Sequence, residues 1–136
     1  MIGIDTNVLV RYVVRDDEPQ YAVAAEALES LTETSPGFIA QVVLAELYWV
    51  LARSYRYPAA TCLAVIRSLV ATASLEFDDA EGVVRALELA EAGADFGDAL
   101  IQGAMELFGV VETVTFDRGA ARALGWRVLG GPDESP

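Results

Sequence analysis

Five apolar runs too short to be helices recur along this chain, and between them lie segments with helical spacing. The runs are Ile2-Gly3-Ile4, Phe38-Ile39-Ala40, Ser74-Leu75-Glu76-Phe77, Val110 to Val114 and Trp126 to Leu129. Short apolar strands separated by helices bury both of their faces, which selects a parallel sheet covered on either side. The pattern predicts an α/β fold with a short, mostly parallel central sheet of about four or five strands flanked by helices on both faces.

The intervening segments supply the helices. Thr6 or Asn7 offers a side-chain oxygen to cap a helix running to about Val14. Pro19 suits an early helical position, with Ala22, Ala25, Leu28 and Leu31 on its apolar face. Leu44, Leu47, Tyr48 and Leu51 mark the next helix, and Pro58 opens another with Leu63, Ile66, Leu69 and Val70 inward. Asp78 and Glu81 have capping-box spacing ahead of a helix closing near Gly93. A helix from about Phe96 to Phe108 stops at Gly109, and a short one around Ala120 to Leu124 stops at Gly125.

The chain has 136 residues, within the range of one domain, and the spacing assigns 1–130 to it with 131–136 as a flexible tail. Cys62 is the sole cysteine, so an intramolecular disulfide and a thiolate metal cage are excluded. The chain starts on a strand-like run without a basic leader, and no apolar stretch approaches the roughly 18 residues of a membrane span. A soluble cytoplasmic protein without a membrane partner is the expectation. A net charge of −12 opposes broad non-specific nucleic-acid binding and favours a basic protein partner.

Four acids sit where apolar runs break off: Asp5, Glu46, Asp98 and Asp117. A carboxylate at the edge of a core is costly unless paired, and the chain has no lysine, no histidine and nine arginines to pair it. A divalent cation is the economical counterion. In an open α/β sheet the carboxyl ends of the strands are also where ligands bind. Each acid has a plainer reading as well. Asp5 and Asp117 could serve as turn or cap residues, Asp95 and Asp98 have N-cap to N3 spacing, and Glu46 could lie on a solvated flank.

The wording around these acids resembles that of PIN-domain nucleases, and in particular VapC-type toxin ribonucleases. Ile4-Asp5-Thr6-Asn7, Leu44-Ala45-Glu46-Leu47, Asp95-Phe96-Gly97-Asp98-Ala99-Leu100-Ile101 and Thr115-Phe116-Asp117 come in that family's order. The resemblance covers essentially all of 1–130. It implies that Asp5, Glu46, Asp98 and Asp117 form the acidic quartet, with Asp95 an additional acid and Thr6, Asn7 and Thr115 supporting them. Asp5, Asp98 and Asp117 would hold the metal, and Glu46 would orient or deprotonate water or join a second metal.

All-oxygen ligands suit Mg²⁺ or Mn²⁺, whereas zinc would recruit His or Cys. With no histidine available, water activated by such a cation is the economical nucleophile. The i,i+4 pairs Arg11/Arg15 and Arg118/Arg122 are candidates to hold RNA phosphates, or ordinary solvated charges. Tyr48, Trp49, Tyr55 and Tyr57 could stack on bases or pack a core or interface. The family further implies an RNA substrate, a homodimer, and a small antitoxin over the acidic groove, with higher complexes between them. Two other readings are a catalytically silent PIN-like RNA-binding or scaffold protein, and a receiver-like Mg²⁺-binding signalling domain. The receiver reading is weakened by the missing lysine.

Overall fold

A computed structural model describes residues 1–130, so the expected tail at 131–136 lies outside the described residues. The chain has two compact units, Met1–Ala80 and Glu81–Pro136. The α/β class is as expected. The strands are grouped as a three-stranded and a two-stranded sheet, both parallel.

The first unit runs β1 (Ile2–Gly3), α1 (Thr6–Val14), α2 (Glu18–Glu29), β2 (Gly37–Ile39), α3 (Gln41–Arg53), α4 (Ala59–Val70) and β3 (Leu75–Phe77). Its sheet has the order β1-β2-β3, with Ile2 beside Gly37 and Gly37 beside Leu75. Gly37 sits in a crowded place: a Cβ there would stand 2.8 Å from the Leu31 side chain and 3.1 Å from that of Leu75, so those side chains would have to shift. Leu9, Ile39, Leu44, Leu47, Leu51 and Ile66 are fully buried and form the apolar centre.

Helices α1 and α3 each follow a strand of this sheet and lie side by side in the same direction. Thr6 bonds Glu46, forty residues on, and beyond the helix Asp16 bonds Tyr55, thirty-nine residues on. Because the offset is nearly constant the two helices run alongside each other, but α3 is thirteen residues long against nine for α1, so α3 begins more than a turn earlier and only their far ends lie level.

Several local expectations are corrected. Asp5 caps α1 through Thr6 N–H, in place of the Thr6 or Asn7 cap expected. Asp17 caps α2, whose buried positions are Ala24 and Ala25; Ala22 is exposed. Ala40 ends β2 as the N-cap of α3 and offers no side-chain acceptor. Asp78 supplies that acceptor from a distance: its carboxylate takes the Gln41 N–H at 2.6 Å while its carbonyl takes the Gln41 amide at 2.7 Å. The residue expected to open α5 therefore caps α3.

The second unit contains α5 (Ala80–Glu91, beginning at the boundary), α6 (Phe96–Leu107), β4 (Val114–Thr115), α7 (Arg118–Leu124) and β5 (Arg127–Val128). Phe96, Val83, Ala86, Leu87 and Ala99 are fully buried. Gly109 and Gly125 end their helices at φ 72° and 75°, the left-handed conformation glycine adopts without a Cβ clash. The expected strand from Val110 shrinks to Val114–Thr115, because Val110 N–H is drawn back to the Met105 carbonyl at 2.9 Å.

Leu47 sits on the inner face of α3 with no exposed surface. Leu47→Ala is expected to cost about 2–5 kcal/mol, seen as a lower urea midpoint at unchanged slope.

Candidate functional site

Two acids belong to the first unit. Asp5 precedes α1, where its Oδ1 accepts the Thr6 N–H at 2.8 Å and its charge meets the positive end of the helix. Thr6 is the one residue among those described that is both polar and buried, at 7% exposure. Its hydroxyl must find an acceptor, and Thr6 Oγ1 donates to Glu46 Oε1 at 2.9 Å. One turn of α1 thereby places Asp5 and fastens Glu46. Asn7 is exposed and lines, with Val8 and Arg11, a groove of about 640 Å³ between α1 and α2.

The other acids belong to the second unit. Asp95 caps α6 by accepting the Asp98 N–H at 3.0 Å, which is the N-cap to N3 pairing that the sequence spacing suggests. Asp117 caps α7 through the Ala120 N–H at 3.0 Å. Thr115 supports Asp117 through the backbone, its Oγ1 accepting the Asp117 N–H at 2.9 Å. Both caps are exposed, while Asp98 is half-buried. Burial pushes the Asp98 carboxyl above the usual carboxylate range, and the charges of Asp95 and Asp117 push it the same way. Asp98 is thus held where an anion is uncomfortable and a cation would be welcome.

No group of three or more His, Cys, Asp or Glu side chains among the described residues is arranged to hold a metal ion. The donor chemistry fits a hard divalent cation all the same: every candidate ligand is a carboxylate oxygen, and Asp98 is short of positive charge.

The arginines divide into two groups. Arg11 pairs with Asp16 at 2.7 Å, and Arg15 pairs with Glu18 at 3.0 Å while lying 4.0 Å over the Tyr21 ring. Tyr21 in turn stacks on Tyr12, with ring centres 5.7 Å apart. This pile of Arg15, Tyr21 and Tyr12 is not apparent in the sequence, whose only hint is Tyr12 between Arg11 and Arg15. Arg118 and Arg122 lie exposed on α7, behind the Asp117 cap.

Against known families, the PIN domain matches residues 2–124, and no curated protein matches the chain. PIN domains are in general nucleases and typically bind divalent metals. The receiver-like alternative is set aside by this match.

The raised Asp98 carboxyl has a thermodynamic consequence. The unfolded chain releases this proton first as pH rises, so the penalty on folding is absent below about pH 3.9 and complete above the raised value. In divalent-free buffer Asp98→Asn is expected to melt a few degrees above the wild type at pH 7, with the gap closing by about pH 3. Thermal melts of the two proteins across this range check it.

Proposed function

The chain belongs to the PIN-domain family, and from that premise we propose that it is a metal-dependent endoribonuclease, the VapC-type toxin of a type II toxin–antitoxin pair. The observation that carries the proposal is Asp98, half-buried at the head of α6 with its ionised form opposed by Asp95 and Asp117. A carboxylate kept in that state without compensation costs stability, and a cation beside it removes the cost.

Asp5, Asp98 and Asp117 are the residues this reading assigns to Mg²⁺ or Mn²⁺, with Asp95 and Glu46 as further candidates. When bound, such a cation supplies charge to offset the negative charge building on the phosphoryl and leaving oxygens. The protein side chains do the rest. Glu46, held at Oε1 by the Thr6 hydroxyl, presents its other oxygen to orient water for in-line attack or to take its proton. Asp95 and Asp117 also keep the ends of α6 and α7 in place through their caps. The partners proposed are RNA as substrate, a second copy as homodimer, and a small antitoxin whose basic segment the charge of −12 would attract, all in the cytoplasm.

Total cellular RNA incubated with Mg²⁺ or Mn²⁺ is expected to be cut, and chelator or Asp5→Asn to abolish cutting while the fold persists. Persistent integrity of the RNA in wild-type reactions would favour the silent RNA-binding reading. Glu46→Gln is expected to lower kcat by about 10²–10⁴-fold, the range of a positioned acid–base group. Thr6→Val, which removes the hydroxyl holding Glu46, should lower kcat by a smaller factor at similar KM.

A further inference from the structure

Helix α3 carries a second pattern besides its buried face. Val42, Glu46, Trp49 and Arg53 are spaced by four, three and four residues, so they form one row on the helix, and all four are exposed. Trp49 is 58% exposed, a large apolar ring left in water. From Val42 the row passes through Glu46, the acid fastened by Thr6, and leads to Arg53 in the last turn, with Arg56 just beyond.

These two arginines differ from Arg11 and Arg15, which are engaged by Asp16 and Glu18. Arg53 and Arg56 are exposed, and among the described residues neither has an ion-pair partner. Arg56 holds φ 56°, the left-handed conformation that Arg15 also takes at the end of α1, and it closes α3 as Tyr57 N–H turns back to the Leu51 carbonyl at 3.0 Å. In a chain of charge −12, two unpaired arginines beside an exposed indole are a local exception.

The geometry points to the exposed row of α3 as an anchor for single-stranded RNA, with a base stacked on Trp49 and phosphates held by Arg53 and Arg56. The inference rests on the ribonuclease reading and adds to it the path of the strand. Arg53 is seven residues past Glu46, about 10 Å along the helix at 1.5 Å per residue. The anchored nucleotides are thus neighbours of the cleaved one. An indole face accepts any base, so the anchor confers grip with little sequence preference, and guanidinium groups supply the salt-dependent part.

The test uses the full chain carrying Asp5→Asn, so that labelled single-stranded RNA is bound and not cut, with fluorescence anisotropy read at several salt concentrations. Trp49→Ala is expected to weaken binding by roughly 5- to 150-fold, the range for losing one stacked base, and Trp49→Phe to keep most of it. Arg53→Gln with Arg56→Asn should reduce the slope of log affinity against log salt by about 1.4, two phosphate contacts on a single strand. Arg53→Lys with Arg56→Lys should restore the slope. All positions are exposed, and melting curves confirm that the variants fold.

Unchanged affinity and slope in these variants would overturn the anchor, as would a parent that binds no RNA. So would a change of oligomeric state in light scattering with RNA affinity unaltered, which would make the row a contact between copies. Failure of the ribonuclease reading looks different: the wild type would leave RNA uncut while the row variants still lost affinity.

Discussion

A buried hydroxyl has to give its proton to something, and in this chain Thr6 gives it to Glu46. That bond joins the first turn of α1 to the outer row of α3, and the packing of the two helices depends on the same registration. Because Asp5 is the residue before Thr6 and caps the same turn, the backbone that places one acid also aims the other. A hydrogen bond to a charged acceptor contributes about 1.5–3 kcal/mol, enough to hold a long side chain in one rotamer at a surface where it would otherwise wander.

The second unit uses carboxylates differently. Asp95 and Asp117 satisfy orphan N–H groups at the heads of α6 and α7, roles that any helix could ask of an aspartate. Those caps also fix two negative charges near Asp98, and the electrostatic burden on Asp98 follows from ordinary helix chemistry. Structural and functional readings of these acids do not compete, since the cap is what holds the charge in place.

Much of this was legible in the sequence because it is local. The order of strands and helices follows from short apolar runs and periodic spacing. The Asp95–Asp98 pairing follows from three-residue spacing, and the stops at Gly109 and Gly125 from the glycines themselves. What was not legible depends on distant partners. Val110, Val111 and Thr113 are β-branched and their segment reads as strand, yet the strand ladder takes in only Val114 and Thr115, opposite Arg127 and Val128. Ala22 and Ala25 share a face by helical spacing, and only packing shows that the second is buried and the first is not. The identities of the acids came from the wording around them, but the Thr6–Glu46 bond spans forty residues and no spacing rule reaches it.

The cap that Asp78 gives to α3 bears on when that helix is closed at its head. Synthesis completes α3 at Arg53, but the acceptor for its first N–H arrives twenty-five residues later, directly after β3, the strand that pairs with β2. Until then the turn ahead of Glu46 is free to fray. A ribosome-bound fragment ending before residue 78 therefore carries Asp5 and Glu46 without the clasp that steadies the helix between them and Arg53.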